Sequence, residues 1–251
     1  MQLLAQHSEI LLLFFGVALL YSSVGFGGGS SYLAILALYG FDFKIIRAIS
    51  LLCNITVVSN GTFQFYKQGF INFKKMFPLV LMSIPMAYLG GKVPLKEKSF
   101  FIILGITLLV AAFLMWFQPK AKTRIYSANQ QLFINLILGG SIGFLSGMVG
   151  IGGGIFLSPL LYLIRWDEPK NISATASLFI LVNSISGLLG QFQAPKLDID
   201  WIFMGGLILA VALGGIAGSY LGTVKLKQEL VRKGTALLIA YVSYNLLVKY
   251  W

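Results

Sequence analysis

The sequence predicts an all-α, polytopic integral membrane protein built from two homologous repeats, and three observations carry that prediction. Hydrophobic residues make up 57% of the chain and charged residues only 11%. Soluble domains run near a quarter charged, so this composition, with a mean hydropathy of +0.85, calls for lipid as the solvent. Apolar stretches near 48–66, 76–91, 99–117, 132–149, 172–192, 201–221 and 234–248 alternate with short polar segments. Most reach the usable span of about 17–25 residues for a helix crossing a hydrocarbon core about 30 Å thick. The third observation is a glycine-rich break that occurs twice, VGFGGG at 24–29 and VGIGGG at 149–154.

The two breaks anchor a longer internal repeat. Val24–Gly29 lies over Val149–Gly154 at an offset of 125. At 127, Ser50-Leu51 falls on Ser177-Leu178, Ser59 on Ser186, and Gln64-Phe65 on Gln191-Phe192. At 128, Ile71-Asn72-Phe73 meets Ile199-Asp200-Trp201, and Gly90 meets Gly218. The ordered set, with insertions of one or two residues, is what a duplicated fold tolerates. Repeat 1 is thus 1–117, with a glycine-broken pair at 9–40 and helices at 45–66, 75–92 and 98–117. A polar, basic linker follows at 118–131. Repeat 2 is 132–251, with a pair at 132–165 and helices at 171–192, 201–222 and 230–249.

The segments beside the first break, 9–24 and 29–40, would be about 24 Å and 18 Å long as helices, at 1.5 Å per residue. Neither spans comfortably alone, and together they are too long for one straight crossing. A re-entrant pair of half-helices with the glycines at its tip resolves this, since irregular backbone survives at depth where protein or a water-filled cavity surrounds it. Each repeat then makes three full crossings, and the copies are inverted. Inversion puts Lys67, Lys74, Lys75, Lys120, Lys122, Arg124, Arg165, Lys170, Lys225, Lys227, Arg232 and Lys233 on one face. Lys44, Arg47, Lys92, Lys96, Lys98 and Lys196 remain on the other, a stronger bias than parallel copies give.

A glycine triplet before a helix lets the chain turn sharply and brings backbone N–H groups close to a ligand. The helix behind it presents free donors and the positive end of its dipole, which suits an anion. Candidate binding residues at the tips are Gly27, Gly28, Gly29, Ser30 and Ser31 in the first copy and Gly152, Gly153 and Gly154 in the second, with Ser158 one turn on. Broken helices at matching positions of two repeats point to a transporter's binding site. Close helix packing is the competing explanation for the glycines. The next helix of each copy carries polar groups: Ser50, Asn54, Gly61 and Gln64 recur at helical spacing, as do Ser177, Ser184 and Gln191. Thr56, Ser59, Asn60, Asn183 and Ser186 lie on other faces. Ser50, Asn54, Ser59, Gln64, Ser177, Asn183, Ser186 and Gln191 complete the candidate set, offering neutral groups to an oxyanion.

Other classes fit less well. The net charge of +11 is spread over loops, so no nucleic-acid surface is expected. Glu9, Asp42, Glu97, Asp167, Glu168, Asp198, Asp200 and Glu229 all fall at segment ends or in loops, which disfavours proton or sodium coupling through buried carboxylates. No Ser–His pair, paired Asp or HExxH motif sits at depth, so a membrane-embedded enzyme with catalytic residues is disfavoured too. Cys53 is alone and His7 lies near the N-terminus, so neither disulfide, metal nor cofactor is expected. The run 10–20 resembles a signal-peptide core but lacks a basic segment before it and belongs to the repeat. GFGGG has no preceding strand or following acid to suit a nucleotide.

With Val24–Gly29, the polar helix 47–65, Gly147–Gly154 and the TASL stretch at 175–178 in view, the sequence resembles the sulfite exporter TauE/SafE family over about 9–248. The resemblance implies a multi-pass transporter of the bacterial or archaeal inner membrane, moving sulfur-containing anions such as sulfite or organosulfonates, by export or in some members by uptake. It implies helix-break roles for Gly25, Gly27, Gly28, Gly29, Gly150, Gly152, Gly153 and Gly154. The copies differ where Arg47-Ala48-Ile49-Ser50 stands opposite Ala174-Thr175-Ala176-Ser177. The expected partners are a small anion and the lipid bilayer; an anion channel, a carrier for another small anion and a homo-oligomer stay open.

Overall fold

The structure is a computed structural model that describes residues 8–23, 26–116, 124–192, 200–222 and 228–251. His7, Val24, Gly25, linker residues 118–123, Lys196, Asp198, Lys225 and Lys227 lie outside these. Among the described residues the chain forms ten α-helices and no strand: α1 (Ser8–Ser22), α2 (Gly29–Leu38), α3 (Phe43–Lys67), α4 (Phe73–Lys92), α5 (Glu97–Trp116), α6 (Ala128–Val149), α7 (Gly154–Leu163), α8 (Pro169–Gln191), α9 (Trp201–Gly222) and α10 (Gln228–Tyr250). Five of them, α3, α5, α6, α8 and most of α9, are long and apolar enough to cross a bilayer.

Helix ends follow from local chemistry. Asp42 accepts the Lys44 N–H at the start of α3, Asn72 that of Lys75 at α4, and Asp200 those of Ile202 and Phe203 at α9. Each side chain satisfies backbone donors that the first turn leaves unpaired. Ser127 and Gln130 form a reciprocal capping box, so α6 starts at Ala128. That start lies inside the expected linker, and α6 reaches 22 residues rather than a half-helix. Its partner α7 and the matching α2 have 10 residues each, about 15 Å at the α-helical rise.

A large apolar core encloses the polar side chains of the spanning helices, while large apolar side chains also face outward, as lipid allows. Ser50, Asn54, Asn135, Ser146, Ser177, Asn183 and Ser184 are fully buried, whereas Leu12, Phe63, Phe77, Phe113, Phe133 and Leu209 are exposed. Ser50, Asn135, Ser177 and Asn183 find hydrogen-bond partners inside the bundle, and exposed apolar surface suits acyl chains.

Two pairs of helices run side by side in the same direction with glycine on the contact. Gly139, Gly143 and Gly147 of α6 lie on the backbone of Leu79, Ser83 and Ala87 of α4. Gly214 and Gly218 of α9 lie on Phe15 and Leu19 of α1. Spacing by four puts these glycines on one helix face, where the missing side chains let backbones touch. Central α3 and α8 are antiparallel: Thr62 meets Ser177 while Leu51 meets Gly187. Exchanging α1–α5 with α6–α10 turns the α1–α9 contact into α6–α4, α2–α3 into α7–α8, α2–α10 into α7–α5, and α3–α9 into α8–α4. It leaves α3–α8 and α5–α10 unchanged, and every one of these contacts occurs.

The helix ends meet in two groups. Phe41, after α2, stacks on Phe203 of α9; Phe43 of α3 packs on Phe100 of α5; and Lys98 donates to the Trp251 carbonyl. At the other group, Tyr126 donates to the Ile164 carbonyl after α7, and Lys75 of α4 bonds Asp167 at 2.9 Å. Lys75 also donates to the Trp166 carbonyl and lies 4.3 Å from that indole's centroid. The Trp166 indole N–H donates to Asn135 Oδ1 (2.9 Å), and Asn135 Nδ2 to the Lys75 carbonyl (2.6 Å).

Candidate functional site

The two glycine breaks come together around Asn54, near the middle of α3. At the first, Gly28 takes φ 114°, and its carbonyl accepts the N–H groups of Ser31 and Tyr32 as α2 begins. At the second, Gly150, Gly152 and Gly153 take φ 86°, 83° and 85°, and the Gly153 carbonyl accepts from Phe156 and Leu157 as α7 begins. These positive φ values favour glycine, because L side chains collide there. Neither helix start has a side-chain cap.

Asn54 links the tips. Its Nδ2 donates to the Ile151 carbonyl at 2.8 Å. A Cβ at Gly27 or Gly29 would run into the Asn54 amide, and one at Gly29 would also strike the Ile151 oxygen. On the other side, a Cβ at Gly152 would meet Asn54, Ile180 and the Ser184 hydroxyl. Ser50 fixes the first tip from below by donating to the Gly29 carbonyl (2.8 Å), and Ser31 shares a 2.8 Å hydrogen bond with the Tyr21 hydroxyl.

Several buried polar atoms here have no hydrogen-bond partner. They include Asn54 Oδ1 and the hydroxyls of Tyr32, Ser146, Ser158 and Ser184. Tyr32 lies against Gly28, and Ser146 against Gly153. Each such orphan costs about 1–3 kcal/mol while it stays unpaired away from water.

The remaining candidates divide by location. Ser30 and Gly154 are buried at the starts of α2 and α7, with Gly154 against Ile180. Ser177 is buried and shares a 2.9 Å hydrogen bond with Thr62, tying α8 to α3. Asn183 donates to the Ser83 hydroxyl (3.0 Å) and its own helix, and Ser186 donates to the Ile84 carbonyl (2.6 Å); both hold α8 to α4. Gln191 donates to the Gly147 carbonyl at 3.4 Å. Ser59 and Gln64 do not join the cluster. Ser59 is exposed and returns its hydroxyl to Ile55 O, and Gln64 bonds Asn60 within α3. Their match in sequence to Ser186 and Gln191 does not bring them to the tips.

Arg47 corrects the sequence reading most sharply. It is no loop cation: it lies in α3, is 6% exposed, and donates to the Gly91 and Gly147 carbonyls at 3.3 Å each. The signal was present, since Arg47 precedes Ser50 by three residues and Asn54 by seven and so extends their helical stripe. Among the described residues, no group of three or more His, Cys, Asp or Glu side chains gathers as a metal site.

A buried polar centre between two broken helices, inside an apolar exterior, fits passage of a small polar solute through a bilayer. The family model for sulfite exporter TauE/SafE matches residues 10–246, nearly the whole chain. The chain belongs to the sulfite exporter TauE/SafE family. It is similar to "Probable membrane transporter protein y4hK" of Sinorhizobium fredii, 32% identical over 240 residues, covering 93% of this chain and 95% of that protein. "Probable membrane transporter protein MJ0441" of Methanocaldococcus jannaschii is 24% identical over 91% of this chain and 89% of its own. "Probable membrane transporter protein YunE" of Bacillus subtilis is 22% identical over 70% and 71%. No solved structure matches. As a TauE/SafE member with several apolar helices, the chain is a multi-pass membrane transporter.

Proposed function

We propose that this TauE/SafE protein exports a small sulfur oxyanion, sulfite or an organosulfonate, across the cell's inner membrane, holding it between the N-termini of α2 and α7. The observation that carries this reading is the convergence on Asn54 of two uncapped, glycine-led helix starts. Both starts present free N–H groups and positive dipole ends. Unpaired hydroxyls of Tyr32, Ser146, Ser158 and Ser184 add donors. An oxyanion accepts from all of them.

Repeat boundaries at 117 and 132 with inverted copies are part of the same reading. The matched helix contacts support a two-fold relation. The α1–α2 hairpin closes beside the start of α9, and the α6–α7 hairpin beside the start of α4. A hairpin opening to each face supports inversion, with alternating access from rocking of one set of helices on the other. An inside-negative potential drives an anion outward by about 2.3 kcal/mol per charge per 100 mV, so export needs no proton partner.

The test is flux into liposomes carrying the purified chain. Saturable movement of sulfite or methanesulfonate is expected, and Gly28→Leu or Gly153→Leu, compared at equal amounts of monodisperse inserted protein, should abolish it. No flux and no binding of either anion contradicts the substrate; normal flux in both variants removes the glycine tips from the mechanism.

A further inference from the structure

Arg47 is a buried guanidinium with no ionic partner among the described residues. Its Nη2 is shared between two backbone carbonyls at 3.3 Å, and its Nε has no acceptor. The ion pairs found among the described residues join Lys75 to Asp167 and Lys233 to Glu229, not Arg47. Carbonyl dipoles solvate a cation partly and leave its charge in place, and burying an unneutralised charge costs several kcal/mol. In membrane proteins such residues mark solute pathways.

Its position is specific. Arg47 packs against Gly150, where the second glycine break opens, and it shares the Gly147 carbonyl with Gln191. Seven residues separate it from Asn54 on the same face of α3, about 10 Å along the axis. The matching position in the second copy is Ala174, also buried. The two matching positions beside the tips therefore differ, one charged and the other neutral.

We infer that Arg47 is the charge-recognition residue of this transporter, binding the oxyanion as its missing counter-ion on one side of the tips. The inference rests on the anion-transport reading and deepens it. A planar fork with an unpaired Nε–H suits ligands with two acceptor oxygens on one centre, such as sulfite, sulfonates and carboxylates, over single-atom halides. Arg47 releases weak carbonyl contacts to take the anion, and Ala174 offers nothing comparable from the opposite face. The two directions of transport are thereby unequal in anion affinity.

The experiment uses the full chain in detergent and in liposomes, with sulfite, methanesulfonate, acetate and chloride as probes. Wild type should gain thermal stability with the first three and not with chloride. Arg47→Lys, which keeps the charge but loses the fork, should fold and weaken oxyanion binding at least tenfold. Arg47→Met should abolish the anion-dependent rise in melting temperature and the flux. A merely structural arginine predicts lower melting temperatures with oxyanion affinity unchanged in Arg47→Lys, and that result overturns the inference even if Arg47→Met fails to fold. Wild-type sulfite flux with a folded, fully active Arg47→Met sinks the inference and leaves the transport reading standing. Arg47-dependent binding of acetate without any sulfur anion does the reverse.

Discussion

Single residues explain how the centre is held and how its periphery responds to pH. Asn54 is the side chain both tips lean on, and glycine is required around it because any Cβ at 27, 29 or 152 meets its amide. At the end of α7, Asp167 sets a different kind of constraint. Partial burial raises its pKa, but hydrogen bonds from Lys75, the Glu168 N–H and Asn171, with the Lys75 charge, outweigh that and hold it below the ordinary carboxylate range. A lowered folded-state pKa contributes stability above the unfolded value of about 3.9 and loses it as pH falls through the folded value. Asp167→Asn should therefore melt lower than wild type at pH 7, with the gap closing below about pH 4. A gap unchanged from pH 7 to pH 3, followed by thermal unfolding in detergent, contradicts the role given to this pair.

Glycine contacts hold neighbouring helices together at close range. Gly147 sits on the Ala87 carbonyl, and Gly139 on that of Leu79, so α4 and α6 approach backbone to backbone. Gly147→Leu should cost about 1–3 kcal/mol or more, since overpacking a close contact forces helices apart. Gly205, inside α9 with nothing near its missing Cβ, is the control: Gly205→Ala should be neutral or stabilising by up to about 1 kcal/mol. Equal melting temperatures for Gly147→Leu and wild type would show that this contact does not hold the pair.

Much of this was legible in the chain, because lipid imposes long apolar runs and leaves polar residues inside as exceptions. The glycine breaks were readable for the same reason: positive φ and bare helix starts need glycine at fixed positions. Arg47 reads as loop charge because a cation in the first turns of a helix looks solvated until a neighbouring helix covers it. Asn135 and Ser146 gave no signal, since their roles depend on Trp166 and Gly153 arriving from α7. Ser59 and Gln64 show the converse: they match Ser186 and Gln191 in sequence, yet bond only within α3.

At the scale of the molecule, we propose two inverted copies whose hairpins close on opposite faces and whose tips share one anion. Topology is open to labelling. In a chain with the buried Cys53 replaced by Ala, single cysteines at Gln68 and Ser127 should react from one side of sealed vesicles. Cysteines at Gly40 and Val93 should react from the other, and labelling of Gly40 and Gln68 from the same side contradicts inversion. The shared anion is tested most directly by a crystal of the full chain soaked in selenite, whose selenium marks an oxyanion by anomalous scattering. A peak within hydrogen-bonding reach of the first turns of both α2 and α7, beside Asn54, is expected. A peak at one tip alone or on the outer surface, or none in crystals of protein that transports selenite, would contradict it.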